Sequence, residues 1–255
     1  MVLCYSCDYA IDRIESSEKK DPTKEWRLSR LDYLPHPESF IKKTPFNIQY
    51  FYENDTLREV HKEDEWKKYY YFQNGLLTNR TSLRWNEGDT MQVDSFFYFD
   101  FPTLLKEKVS YYHFAEPQYA PQKSTYKYYF NSDSKIVKEE RYDSSNELDW
   151  YYEYDWQDGN PVETRLYWDG DNQIALMDRL SFDLGKNYEL NKRWDPDAIL
   201  PQNNQVSASR RVVTRGGAFD RTYKINYDRQ RRPTRIYTIM SNQLAIIDTL
   251  DITYQ

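Results

Sequence analysis

The stretch "LDWYYEYDWQDGNPVETRLYW", residues 148 to 168, contains two alternating segments joined by an Asp-Gly pair. In the first segment one parity is apolar (Leu148, Trp150, Tyr152, Tyr154, Trp156) and the other is mostly charged (Asp149, Tyr151, Glu153, Asp155). Successive side chains of a β-strand point to opposite faces, and Asp-Gly supplies the positive φ angles that a tight hairpin turn requires. The stretch therefore predicts an antiparallel hairpin with a dry face and a wet face.

The same pattern continues along the chain. From Phe46 onward, aromatic or β-branched runs alternate with turn residues such as Asn74-Gly75, Gly185 and Gly216-Gly217. The turns recur roughly every 9 to 16 residues, the spacing expected of hairpin-connected strands. Helical spacing is weak and is confined to residues 26 to 34. We predict an all-β fold, an antiparallel meander of about 14 hairpin-connected strands that forms a repetitive sheet or a sandwich.

Composition indicates that aromatic side chains carry much of the burial. The chain has 25 Tyr, 12 Phe and 7 Trp, while 30% of its residues are charged and its mean hydropathy is −0.98. Tyrosine suits a half-wet sheet, because its ring packs while its hydroxyl reaches water or a partner. The totals favour sheets with thin cores over a disordered chain.

Charge is unevenly distributed. The net charge is −6, yet residues 206 to 240 contain nine Arg or Lys against two Asp. Such a basic region can attract an acidic partner, or its arginines can simply keep strand faces soluble. Because the chain is acidic as a whole, we expect no nucleic-acid partner.

The start of the chain suggests a lipid anchor. "MVLCYSC" and the polar residues after it resemble the end of a bacterial lipoprotein signal, which would make Cys7 the lipidated residue and limit membrane contact to the anchor. We divide the chain into a lipobox-like start, tether and lead-in (residues 1–43) and a repetitive β domain (residues 44–255), with a possible internal break at residues 194–209. Cys4 and Cys7 lack the partners of a zinc site, and we expect no metal.

Five segments share an aromatic run, then a polar turn, then a β-branched or Leu residue. They are "IQYFYENDTLREV" (48–60), "YYYFQNGLLTNR" (69–80), "YKYYFNSDSKIVKEE" (126–140), "YYEYDWQDGNPVETR" (151–165) and "YKINYDRQRRPTRIY" (223–237). These segments resemble the YD repeats of Rhs-type wall and toxin proteins and the β-meander lipoproteins of Bacteroidetes. The resemblance implies a structural scaffold and brings no catalytic residues with it.

Motifs for nucleophilic catalysis, phosphate binding, dinucleotide binding or zinc hydrolysis do not occur in the sequence, and we predict no catalytic residue and no cofactor. Carboxylates are abundant, so an acid pair of the glycosidase type stays open as an alternative. Its candidates are Asp149, Glu153, Asp155 and Glu163.

The leading hypothesis is a non-enzymatic, lipid-anchored protein of the bacterial cell envelope, in the periplasm or at the outer membrane. Its Tyr/Arg-rich face would bind a glycan or an envelope protein. The candidate binding residues are Tyr151, Arg165, Tyr167, Arg229, Arg231 and Arg232. Two alternatives remain. One is a carbohydrate-active enzyme that uses an acid pair, and the other is an outer-membrane β-barrel, because strands of about ten residues with aromatic ends also suit a barrel.

Overall fold

A computed structural model describes residues 27–35, 44–53, 56–84, 88–100, 103–115, 118–168, 173–187, 196–213, 216–240 and 245–254. Cys7, the predicted lipidation site, lies outside these residues. The described chain forms sixteen β-strands, and none of its residues forms a helix long and apolar enough to cross a membrane. The strands are β1 (Leu28–Pro35), β2 (Phe46–Glu53), β3 (Thr56–Lys62), β4 (Trp66–Gln73), β5 (Leu76–Arg84), β6 (Thr90–Tyr98), β7 (Leu105–Tyr112), β8 (Gln122–Phe130), β9 (Ile136–Tyr142), β10 (Leu148–Gln157), β11 (Asn160–Trp168), β12 (Ile174–Lys186), β13 (Asn203–Val212), β14 (Gly217–Tyr227), β15 (Pro233–Met240) and β16 (Ala245–Tyr254).

The sixteen strands form one closed antiparallel barrel, in which each strand pairs with its neighbours in sequence and β1 pairs with β16. The all-β antiparallel prediction is confirmed. The expected sheet or sandwich is instead a barrel, because pairing Leu31 with Ile252 joins the two edges that an open sheet would leave unpaired.

Two local expectations also differ from the structure. The weak helical spacing at residues 26–34 does not correspond to a helix among the described residues, because residues 28–35 form strand β1, which pairs with both β2 and β16. Gly185, predicted as a turn, lies within β12. The first difference adds a strand and the second removes a predicted turn, and the described chain has sixteen strands against about 14 predicted.

The predicted alternation in β10 is confirmed. Tyr154 belongs to the hydrophobic cluster that the barrel wall encloses, and Tyr152 and Trp156 pack against that cluster. Its fully enclosed members include Leu57 and Leu77, which are only 1% and 2% exposed. Alternate residues of each strand that share a face with these buried residues point into the barrel, and the residues between them form the outer wall.

The sequence repeat has a structural cause. In six hairpins the antiparallel register shifts at an inward aromatic residue just before the turn, because the return strand carries one extra residue at that point. The aromatic residue then lies opposite an apolar residue at the start of the return strand. The six pairs are Tyr52 with Leu57, Phe72 with Leu77, Tyr98 with Leu105, Phe130 with Ile136, Trp156 with Pro161 and Tyr227 with Pro233. A bulge increases local twist and bends the strand, so the repeat helps to curve the wall.

Neighbouring hairpins are joined by side-chain hydrogen bonds at the same level. The Tyr98 hydroxyl donates to the Leu77 carbonyl at 2.8 Å, and Trp156 Nε1 donates to the Ile136 carbonyl at 2.8 Å. Each bond satisfies a main-chain acceptor at the rim of the barrel. The aromatic residues of the repeat therefore fix one hairpin to the next.

Residues 196–202 of the β12–β13 connection fold into the lumen. Asp197, in this connection, contacts Arg80 on β5 and Lys108 on β7, although four strands (β8 to β11) separate β7 from β12 along the wall. Ile199 packs against the hydrophobic cluster. Within the predicted break at 194–209, residues 196–202 fold inward and residues 203–209 are the first residues of β13.

Candidate functional site

The structure brings three of the predicted binding residues together on the outer wall of β10 and β11. The rings of Tyr151 and Tyr167 stack with centroids 4.5 Å apart and planes 9° from parallel. Lys138 Nζ lies 4.4 Å from the Tyr151 ring centroid. Arg165 lies on the same face and, with Lys138 and Glu140, lines a shallow depression of about 710 Å³. A flat aromatic pair beside charged groups is the arrangement that the sequence predicted.

Arg165 is already occupied by carboxylates. It donates to Asp155 at 2.6 and 3.0 Å, to Glu163 at 2.7 Å and to Glu153 at 3.4 Å. Hydrogen bonding from Arg165 lowers the pKa of Asp155, and bonds from Arg179 and Arg165 lower the pKa of Glu163. An arginine with three acidic partners has little capacity to bind a further anion, so Arg165 is poorly suited to hold one.

The other three predicted residues lie elsewhere. Arg229, Arg231 and Arg232 belong to the β14–β15 turn, and β12 and β13 separate that hairpin from β11. Arg231 adopts a positive φ of 60°, while Arg232 donates to Asp228 at 2.7 Å. Arg229 and Arg231 are exposed. The structure therefore divides the predicted binding residues into two separate surfaces.

The four candidate acids do not form one site either. Glu153, Asp155 and Glu163 all contact Arg165 on the outer wall. Asp149 instead pairs with Arg141, whose other terminal nitrogen donates to Ser124. Since lowered pKa values and arginine partners keep Asp155 and Glu163 ionised, they are poorly suited to act as a general acid.

The lumen holds a denser group of charges that the sequence prediction missed. Asp94 is 1% exposed and accepts hydrogen bonds from Arg80 at 2.8 Å, Ser110 at 2.6 Å and Gln92 at 2.7 Å. Arg80 also reaches the Asp197 carboxylate at 3.3 Å. We call Arg80, Asp94, Lys108 and Asp197 the lumen charge cluster. Its acids and bases alternate, which is how buried charges are tolerated.

Lys108 depends on Asp197. Its ammonium group donates to Asp197 at 2.6 Å and lies 4.1 Å from the Tyr126 ring centroid. Burial by itself would lower the pKa of Lys108, but the attraction of the Asp197 and Asp94 carboxylates, with the hydrogen bond to Asp197, leaves the pKa raised. The inward-folded connection is therefore fixed by a charged contact in the interior.

A partly buried acid and two tyrosines adjoin this cluster. Burial raises the pKa of Glu139, which accepts a hydrogen bond from the Tyr154 hydroxyl at 3.2 Å. The Tyr128 hydroxyl is buried and has no hydrogen-bond partner among the described residues. Burial and the nearby Glu139 raise the pKa of Tyr128 well above its ordinary value, so the phenol stays protonated and can donate.

A polar pocket of about 180 Å³ lies on the inner faces of β6 to β9. It is lined by Gln92, Ser110, Gln122, Ser124 and Arg141, with the rings of Tyr112 and Tyr126. Within the described chain, Arg141 Nε is buried without a hydrogen-bond partner. Tyr112 and Gln122 are exposed beside the β7–β8 connection, so solvent reaches the pocket there.

The outer wall is charged as well. Its ion pairs include Arg30 with Asp32, Lys138 with Glu140, Arg165 with Glu163, Arg179 with Glu163, and Arg235 with Asp251. Four aromatic side chains on alternate strands of the same wall are exposed near one rim (Phe51, Tyr71, Phe97 and Tyr129). We call these four residues the outer aromatic row.

A signal for the lumen site exists in the sequence. Arg80, Asp94 and Lys108 occupy the inward parity of their strands, since each shares its face with an enclosed neighbour such as Phe96. A charged residue at an inward-facing position of a strand indicates that an oppositely charged residue pairs with it inside the barrel. The position of that partner, Asp197, follows from the path of the connection and not from any local pattern.

Comparison with known proteins identifies the architecture. No family model matches the chain, and no curated protein matches it. Among solved structures, a porin-like protein from Bacteroides uniformis ATCC 8492 shares 12% identity over 89% of this chain and 96% of that chain, with a TM-score of 0.57. A porin-like protein from Bacteroides vulgatus ATCC 8482 shares 9% identity over 90% of this chain and 99% of that chain, with a TM-score of 0.41. This chain has the fold of the first protein. The resemblance to YD repeats stays a prediction.

Proposed function

We propose that this chain is a porin-like barrel of the bacterial envelope that keeps its outer wall in water and binds a polar ligand in its lumen. The observation that carries the proposal is the distribution of charge between the two faces. Ion pairs cover the outer wall of β9 to β12, and a second, partly buried set of polar groups lines the lumen.

The outer wall argues for water on that side. A lipid-facing barrel carries an apolar band about 25 Å tall, and each Arg or Lys at the bilayer midplane costs about 2–4 kcal/mol. Here Arg165 lies in the middle of β11 with three acidic partners. Charged groups of this kind are well solvated in water, and their transfer into hydrocarbon would cost free energy.

The lumen argues for binding instead of free passage. The β12–β13 connection lies across it, with Asp197 joined to Arg80 and Lys108, and the hydrophobic cluster fills part of it. A narrowed interior with convergent polar groups is the usual form of a small-ligand site. The envelope location and a lipid anchor at Cys7 belong to this proposal, as does binding of a glycan or protein by the outer Tyr151–Tyr167 pair.

A second candidate function is a barrel inserted in the outer membrane. It is favoured by the outer aromatic row, because membrane barrels carry aromatic girdles at the lipid interface. Phe51 and Tyr71 are 41% and 52% exposed. The similarity to a porin-like structure supports the same candidate at the level of fold.

One experiment separates the two candidates. The full chain carrying Cys7→Ser, which removes the predicted lipid site, is purified without detergent and centrifuged at high speed. We expect a soluble, β-rich protein that gives no stepwise conductance when it is added to planar bilayers. A protein that needs detergent and produces discrete conductance steps would support the inserted barrel and overturn the water-facing wall.

A further inference from the structure

We infer that the polar pocket on the inner faces of β6 to β9 binds one ring of an uncharged sugar. This inference rests on the proposed function, since it names the class of ligand that the lumen holds. The pocket, about 180 Å³, has room for roughly six water molecules at about 30 Å³ each, so the ligand is small or is the end of a longer chain.

The hydrogen-bonding groups favour hydroxyl partners. Ser110 donates its single hydroxyl hydrogen to Asp94 at 2.6 Å, and Gln92 donates one of its two amide hydrogens to Asp94 at 2.7 Å. Both side chains keep an oxygen that can accept, and Gln92 keeps one amide hydrogen that can donate. Arg141 donates to Ser124 at 2.9 Å, while its buried Nε has no partner among the described residues. A hydroxyl group both donates and accepts, and it can therefore satisfy both kinds of group.

The charges around the pocket disfavour an anionic or cationic ligand. Arg141 is paired with Asp149, and Arg80 is paired with Asp94 at 2.7 Å. Each cation beside the pocket already has its own carboxylate. An added carboxylate would meet Asp94 and Asp149 without a spare counter-charge, and an added cation would meet Arg141. A neutral ligand incurs neither penalty.

The aromatic walls favour a ring with an apolar face. Tyr126 lines the pocket, and its ring meets the edge of Trp150 at a centroid distance of 6.1 Å. Tyr112 forms the exposed part of the wall. Sugar rings present apolar faces to such side chains and polar edges to hydrogen-bonding groups. The pocket offers both kinds of surface within one small volume.

The test uses the full chain and four neutral probes: D-glucose, D-galactose, D-mannose and N-acetyl-D-glucosamine, with D-glucuronate as the charged comparison. Ligand-observed NMR and tryptophan fluorescence report binding, the latter through Trp150. We expect at least one neutral probe to bind with a Kd on the order of 1 mM, typical of a single small ligand. Glucuronate should bind at least tenfold more weakly.

Arg141→Lys keeps the charge opposite Asp149 but removes Nε, and it should weaken the bound probe at least tenfold. Gln122→Ala, at an exposed position of the pocket, should weaken probe binding severalfold. It replaces the arginine variant as the test if that variant is misfolded, as judged by loss of cooperative unfolding. Tyr111→Ala is the matched control, because its side chain lies on the outer wall and should leave Kd unchanged.

Three results would overturn the inference: no saturable binding of any neutral probe below about 50 mM, tighter binding of glucuronate than of all neutral probes, or unchanged affinity in both pocket variants. The proposed function fails separately. Conductance steps combined with sugar binding would reject the water-facing wall and leave the sugar site intact.

Discussion

Asp197 is the residue that holds the interior together. It pairs with Lys108 at 2.6 Å and with Arg80 at 3.3 Å, and each of the three side chains is only 11% exposed. Removing one partner of a buried ion pair leaves an uncompensated charge and costs about 3–5 kcal/mol. We therefore predict that Asp197→Asn lowers the free energy of unfolding by about 3 kcal/mol in urea titrations followed by tryptophan fluorescence.

Asp220→Asn is the matched control, because Asp220 is exposed on β14. Its effect should stay within about 0.5 kcal/mol. An equal decrease in the free energy of unfolding in the two variants would show that Asp197 acts through the net charge of the protein and not through its contacts in the lumen.

Arg165 makes the outer wall sensitive to acid. It holds the pKa of Asp155 below its ordinary value, and with Arg179 it does the same for Glu163. A carboxyl whose pKa is lower in the folded state stabilises the fold above its unfolded pKa and loses that contribution as pH falls through the folded one. Asp155 is exposed and Glu163 is partly exposed, so solvent screens both pairs and each contributes about 1 kcal/mol or less.

We predict that Arg165→Met lowers the melting temperature at pH 7 and that the gap to the unsubstituted protein closes as pH falls below about 4. Thermal unfolding between pH 3 and 7 at low ionic strength measures this. Arg211→Met, at an exposed position on β13, should show no such pH dependence. A gap that is constant across the range would contradict the assignment.

At the scale of elements, the β10–β11 hairpin holds the inward-folded connection. Gln202 N donates to the Gly159 carbonyl at 3.0 Å, and Asn203 N donates to Asn160 Oδ1 at 2.9 Å. Gly159 has a φ of 74°, and a Cβ added there would collide with the Gln202 side chain. The turn therefore needs glycine both for its backbone conformation and for the approach of the connection.

Two turn glycines separate these causes. Gly75 has a φ of 77° with nothing within 4 Å of an added Cβ. Gly75→Ala should therefore lose only the conformational cost of about 1 kcal/mol. Gly159→Ala should lose about 1 kcal/mol more, because the Gln202 side chain must move away from the added methyl group. Adding Gln202→Ala should recover part of that excess. Equal losses at the two glycines in urea unfolding would reject the steric contribution.

For the whole molecule, closure of the barrel joins the two ends of the described chain. Ser29 Oγ donates to the carbonyl of Thr253, 224 residues away, at 3.2 Å, and Arg30 lies opposite Thr253 in the register of β1 and β16. Closure removes the exposed strand edges on which other chains could add.

A disulfide tests this closure. Opposite residues of an antiparallel pair have Cα atoms about 4.5–5.5 Å apart, within the range that a disulfide spans. In a background of Cys4→Ser and Cys7→Ser, we predict that Arg30→Cys with Thr253→Cys oxidises to an intramolecular bond, seen by mass spectrometry and by mobility on a non-reducing gel. Arg30→Cys with Thr222→Cys, which joins β1 to the non-adjacent strand β14, should not. Failure of the first pair would indicate an open sheet.

The sequence by itself determined the hairpins and their two faces. Alternation in residues 148 to 156 and the Asp158-Gly159 turn are local properties, because they depend on the pleat of one strand and the φ angles of two residues. For the same reason the stacked pair Tyr151 and Tyr167 could be predicted as neighbours on the wet face. The aromatic repeat was visible in the sequence, but its role as a series of bulges was not.

Only the tertiary structure decided that the meander closes and what its lumen contains. Alternation assigns side chains to two faces without saying which face turns inward, and curvature accumulates over all the strands before β1 meets β16. The ion pair between Asp197 and Lys108 joins residues 89 apart, and no local preference encodes such a distance. The lumen charge cluster therefore depends on closure of the barrel, because only an enclosed lumen brings Asp197 into contact with Arg80 and Lys108.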